Sequence, residues 1–95
     1  MKMRFNLGKL VCTMGVSDAM NDNPKFVEFV NCSLARHINC DWGDLCDEDK
    51  EMNNSALVNG DDRLFSRYDF GNGVSIYIIT EWDRSYTTVL FPDEY

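Results

Sequence analysis

The chain has 95 residues, with 9 Lys and Arg against 16 Asp and Glu, a formal charge of −7, and is 44% hydrophobic and 13% aromatic. This is too apolar for disorder at this charge and too short for two ordinary domains, so a single domain over residues 1–95 is expected. A sequence pI near 4.4 disfavours a sequence-independent grip on nucleic acid, which needs a basic stripe to displace counterions, and disfavours adsorption to anionic membranes. Proteins with basic surfaces and small molecules remain as partners. An acidic protein can also occupy a basic groove in place of nucleic acid.

In chain order, Met1-Lys2-Met3-Arg4 has the charge of a leader segment, but Asn6, Gly8 and Lys9 interrupt the apolar stretch a leader needs. The longest apolar run, Ile76-Tyr77-Ile78-Ile79, is far below the roughly 20 residues that span a bilayer. A cytoplasmic protein is expected, with Cys12, Cys32, Cys40 and Cys46 as thiols. Leu10-Val11-Cys12-Thr13 is a candidate edge strand, and Val16 to Met20 suits a helical turn before the polar break Asn21-Asp22-Asn23. A helix is predicted from about 24 to 37. Asn23 suits its N-cap and Pro24 its first position; Val27, Val30, Leu34 and Ile38 form one stripe, widened by Phe26. After the loop Asn39-Cys40-Asp41-Trp42-Gly43-Asp44, a second helix is predicted to start between 44 and 47. Asp47, Glu48 and Asp49 lie in its first turn, Met52, Ala56 and Leu57 form a thin apolar stripe, and Gly60 is its stop.

The last third reads as an antiparallel meander of strands over 64–70, 74–82 and 86–91. The turns are Gly71-Asn72-Gly73 and Asp83-Arg84-Ser85, and Pro92 ends the last strand. In the central strand Val74, Ile76, Ile78, Thr80 and Trp82 share one face, expected to be buried, and Ser75, Tyr77, Ile79 and Glu81 the other. The expected fold is α+β: a three-stranded antiparallel meander, with a candidate fourth edge strand, packed against two helices on one face.

Four constellations could carry chemistry. His37, Cys40, Asp41 and Cys46 have a loosely zinc-like spacing, and Cys12 or Cys32 could complete it. The paired knuckles of structural zinc sites are missing, so no metal or other cofactor is favoured. The plainer reading has His37 capping the helix end and the cysteines acting as small hydrophobes. A Cys/His nucleophile oriented by Asp41 lacks any motif context around it. Glu81 and Asp83, with Arg84, Ser85 and Thr87, could gather acids and hydroxyls at a turn; the plainer reading is a turn closed by side chain to backbone hydrogen bonds. Finally, between Asp41 and Glu51 lie six acids (Asp41, Asp44, Asp47, Glu48, Asp49, Glu51) and one base, Lys50, with Asp61 and Asp62 beyond. This is either a solvated helix face or a docking surface for a basic groove, with Trp42 as an aromatic anchor or a core lid. The isolated glycines offer no phosphate-binding loop, and no catalytic signature is present, so a non-enzyme is expected.

Several of these segments also occur together as a pattern. Asp41-Trp42-Gly43-Asp44-Leu45, then Asp47-Glu48-Asp49-Lys50, then Arg63-Leu64-Phe65-Ser66 with Tyr68, then Ile78-Ile79-Thr80-Glu81, Asp83-Arg84-Ser85, Thr87-Thr88-Val89-Leu90, Pro92 and Glu94-Tyr95 resemble a family of small proteins borne by bacterial plasmids, prophages and integrative elements, mostly in Firmicutes. The resemblance takes in Phe5-Asn6-Leu7-Gly8 and so covers nearly the whole chain. Cys40 stands where the family pattern has glycine, and Cys46 also departs from it. With the acidity and small size, the resemblance implies a protein of a mobile element acting by protein–protein interaction. The expected activity is inhibition of a host nucleic-acid-handling defence system, as anti-CRISPR and anti-restriction proteins do. Trp42, Asp44, Asp47, Glu48, Asp49, Glu51, Glu81 and Asp83 are the expected contact residues. The alternative is a small metal-binding or hydrolytic protein built around His37, Asp41 and the cysteines.

Overall fold

A computed structural model describes residues 4–95; the expectation that Met1-Lys2-Met3-Arg4 only resembles a leader in charge rests partly on Met1, Lys2 and Met3, which lie outside the described residues. The elements are β1 (Lys9–Cys12), α1 (Met14–Asp22), α2 (Pro24–Ile38), α3 (Asp47–Asn59), β2 (Leu64–Gly71), β3 (Val74–Thr80) and β4 (Tyr86–Leu90), followed by a 3-10 turn over Pro92–Glu94. The class is α+β. The four strands form one sheet in the order β1-β4-β3-β2. The meander β2-β3-β4 is antiparallel, and β1 adds as an edge strand parallel to β4. The Gly-Asn-Gly turn holds Gly71, Asn72 and Gly73 all at positive φ, the region where glycine and asparagine cost least.

The N-terminal helices are set by caps. The Thr13 hydroxyl accepts from Val16 N at the start of α1. Asn23 serves both helices: its N–H bonds Ala19 O to close α1, and its side chain accepts from Lys25 N to open α2, with Pro24 next. The expected helical turn is therefore a nine-residue helix, and the polar break is a single shared residue.

Cross-strand register fixes what each sheet face carries. The inner face has the rows Leu64–Thr80–Thr87, Ser66–Ile78–Val89 and Tyr68–Ile76. Against it α1 and α2 place Val16, Phe26 and Val30, which form the main core with Tyr68, Ile76, Ile78 and Val89. The inward line of α2 is Phe26, Val30, Ser33 and His37, while Val27, Leu34 and Ile38 are only part-buried. The expected stripe is thus rotated about one position, because polar Ser33 and His37 face inward. Val74 is 37% and Trp82 61% exposed, since β3 ends at Thr80 and its first residue lies at the sheet's rim.

Helix α3 lies beside β2. Its buried residues are Asn53 and Ala56, and Met52, expected in its apolar stripe, is 63% exposed. Asn53 takes the inward position because β2 is an edge strand: its Oδ1 accepts from Phe65 N at 3.0 Å and its Nδ2 donates to Phe65 O. Ala56 joins Trp42 and Leu64 in a second core, flanked by Phe5, Leu45 and Leu57. Among the described residues, no helix is long and apolar enough to cross a membrane.

Candidate functional site

His37 lies fully buried between α2 and the sheet, its ring edge-on to Phe5 and to Trp42. Nδ1 is 2.6 Å from Ser66 Oγ and Nε2 3.0 Å from Thr80 Oγ1. Thr80 Oγ1 is 2.7 Å from Thr87 Oγ1, and Thr87 donates to the carbonyl of Leu7. That carbonyl can only accept, so the whole chain has one direction. Thr87 uses its proton on Leu7, so Thr80 must donate to Thr87. His37 then donates from Nε2 to Thr80, and Ser66 donates to Nδ1. The ring is a neutral imidazole with its proton on Nε2. Burial, and secondarily the charge of Arg84, push its pKa down to about 3. Both nitrogens are spent on hydroxyls, so His37 does not cap the helix end as the plainer sequence reading had it; it ties α2 to three strands' worth of polar groups.

The Asp-Trp-Gly-Asp segment closes the outer edge of β2. Arg67 N donates to Trp42 O at 3.3 Å, Asp44 N donates to Arg67 O at 2.7 Å, and Asp69 N donates to Asp44 Oδ2 at 3.0 Å. With Asn53 on Phe65, the outward amides of Phe65, Arg67 and Asp69 all have acceptors. Gly43 sits at φ 78°, and a Cβ there would lie 1.9 Å from Arg67 O. Cys40 is also left-handed, at φ 64°, a conformation in which glycine costs least. Asp41 is held by a two-bonded fork from Arg36, at 2.7 and 3.2 Å, which keeps its carboxyl below the usual range, and its carbonyl accepts from the Tyr68 hydroxyl at 2.6 Å. Trp42 is 4% exposed and donates from its indole N–H to Asn54 Oδ1. It is a core lid, and the anchor reading is corrected by its burial.

These placements bear on the metal and nucleophile constellations. His37 faces Ser66 and Thr80, Asp41 faces Arg36, and Cys46 is exposed. Among the described residues no three His, Cys, Asp or Glu side chains gather in a metal-holding group. Burial pushes the Cys40 thiol up, away from the thiolate that a nucleophile needs. Cys12, Cys32 and Cys46 are exposed thiols rather than buried small hydrophobes.

The Glu81–Asp83 turn is held by its own backbone. Asp83 Oδ1 accepts from Ser85 N at 3.0 Å, and the Ser85 hydroxyl and amide hold its carboxyl below the ordinary range. Arg84 has φ 60°, and among the described residues it forms no ion pair with either acid. Its guanidinium donates to the carbonyls of Asp62 (2.7 Å), Ala56 (3.2 Å), Glu81 (3.2 Å) and Trp82 (3.1 Å). It thus clamps the last turn of α3, through Ala56 O, which also accepts from Gly60 N, to the β3–β4 turn.

The acids of α3 are different in kind. Asp47, Glu48, Asp49 and Glu51 are all exposed. Among the described residues the ion pairs are Arg36–Asp41 and Arg67–Asp69, so none of these four is neutralised by one. Beside them, on the outer sheet face, Phe65, Tyr77 and Tyr95 form a ring cluster with centroids 4.7 to 6.3 Å apart. A cleft of about 230 Å³ opens between this cluster and α3, with Asp49, Met52 and Asp62 on its rim. Sequence reasoning placed Tyr77 on the outer face but missed the cleft. Its signal was available in Phe65 and Tyr77, both at outward positions of adjacent strands, with Arg63 two residues before Phe65. Compared with family models, with curated proteins and with solved structures, the chain matches none.

Proposed function

We propose that the protein acts in the cytoplasm by protein–protein interaction, docking its α3 surface onto a basic groove of a host nucleic-acid-handling defence protein and inhibiting it. The observation that carries this reading is the set Asp47, Glu48, Asp49 and Glu51, exposed along one helix with no ion pair among the described residues. Unpaired carboxylates at this density raise local negative potential and steer association with a basic partner. Asp44, Glu81 and Asp83, also expected at the interface, contribute charge only, since Asp44 and Asp83 each spend an oxygen on a backbone amide. The net charge of −7 and the resemblance to mobile-element proteins support the choice of a nucleic-acid-handling target. The metal-binding or hydrolytic alternative has no observation in its favour, because its central His37 is already committed at both nitrogens.

The test is capture of the partner from a Firmicutes host lysate on immobilised protein, followed by an assay of that partner's nucleic-acid binding. The proposal expects binding to fall in proportion to added protein and to recover in high salt. Unaltered nucleic-acid binding by every captured protein would contradict it.

A further inference from the structure

The cleft beside α3 gives the proposed docking surface a chemical preference. We propose that it receives an arginine side chain of the basic partner, guanidinium laid against the aromatic cluster and paired with the acids at the rim. This rests on the docking reading above and specifies it.

Three observations carry it. First, the floor is aromatic: Phe65 and Tyr77 lie 4.7 Å apart, and Tyr95 stands edge-on to both. Ring faces attract cations, and the planar, weakly hydrated guanidinium stacks on them better than an ammonium does. Second, the protein already uses these rings in this way. The Arg63 guanidinium carbon lies 5.6 Å from the centroid of Phe65 and 5.3 Å from that of Tyr95, and Arg63 donates to the Tyr95 hydroxyl. Third, Arg63 does not neutralise the cleft. Asp49 and Asp62 line it as well, which leaves one net negative charge and room of about 230 Å³. A single incoming cation balances the site. An adjoining hollow shares Met52 and Asp62 and adds Glu51 and Asp61, so a neighbouring basic residue of the same partner segment also meets carboxylates. An anionic or neutral aromatic guest lacks this complementarity.

The experiment is an NMR titration of the whole protein with an oligoarginine peptide and, separately, an oligolysine peptide of equal length. The expected result is saturable movement of the Phe65, Tyr77 and Tyr95 ring resonances, with arginine binding roughly three- to tenfold tighter than lysine. Tyr95 is 64% exposed, so Tyr95→Ala removes a ring without changing charge and should erase that preference. Asp49→Asn, on the exposed helix surface, provides an independent variant that leaves all the rings in place and should weaken both peptides. Silent rings with moving α3 amides would overturn the arginine cleft while leaving acidic docking intact. A full arginine preference in Tyr95→Ala would overturn it likewise. Absence of any salt-sensitive binding at α3 would overturn the docking reading together with the cleft.

Discussion

The surroundings of His37 and the surface of α3 both concentrate polar residues, yet they are opposites. Around His37 the polar atoms are buried and each is matched: Ser66, the imidazole, Thr80, Thr87 and the Leu7 carbonyl form one directed chain. On α3 the carboxylates are in water and carry no ion pair among the described residues. Buried polar groups must be satisfied internally, so they specify the fold and have nothing left to offer a substrate. Exposed, unpaired charges add little to folding and remain available to a partner. The difference gives the histidine a structural role and leaves the acids free for the recognition proposed for them, although His37 looks the more reactive residue in the sequence.

The largest expected effect comes from breaking the matched side. His37→Ala removes a fully buried ring and strands two hydroxyls, a cost of about 3–5 kcal/mol, against a total stability of about 5–10 kcal/mol for such a domain. Chemical denaturation measures it; a loss below about 1 kcal/mol would show that the chain of hydroxyls does not hold the fold together. Gly43→Ala follows. Its Cβ would meet Arg67 O at 1.9 Å with φ at 78°, so the segment must lift from β2, at about 2–4 kcal/mol. Hydrogen exchange should then rise first at Arg67 and Asp69, whose amides that segment covers.

Over a single pH unit a smaller effect appears. The His37 pKa is lowered in the folded state, to about 3, from an unfolded value near 6.5. The unfolded chain therefore takes up the proton first. The stabilisation is complete above about pH 6.5 and is lost as pH falls toward 3, at up to about 1.4 kcal/mol per pH unit. Between pH 6 and 5, where carboxylates with lowered pKa values such as Asp41 and Asp83 hardly titrate, His37→Gln should flatten the dependence. An unchanged slope in that variant would place the titration elsewhere.

The sequence made the meander legible because its signals are local. Strand alternation, the Gly-Asn-Gly turn and Pro92 act over a few residues, and all three antiparallel strands lie where those signals put them. The edge strand's position beside β4 joins Lys9 to Tyr86, a pairing that no local pattern encodes. The rotated stripe of α2 has the same origin: His37 faces inward because its hydroxyl partners come from strands 29 and 43 residues away. Likewise Asn53 displaces Met52 from the interior because it completes an unpaired strand edge. Of the candidate site, the acids of α3 were readable from composition and dipole placement. Trp42 was not assignable as lid or anchor until its neighbours Phe5, Ala56 and Leu64 were placed.

The central claim is that recognition lies in the exposed acids of α3, and one measurement reaches it directly. It is the association rate of the captured partner with wild-type protein and with Asp47→Lys, Glu48→Lys, Glu51→Lys combined, across a salt series. The three residues are exposed, so reversal should leave the fold intact at a cost of about 1 kcal/mol, mostly from the start of the helix. The wild-type rate should fall steeply as salt rises, because exposed charges are screened beyond about 8–10 Å at physiological ionic strength. The reversed protein should associate more slowly at low salt and converge with wild type at high salt. Equal rates with no salt dependence would contradict the account, and would leave the acidity of α3 as a contribution to solubility alone.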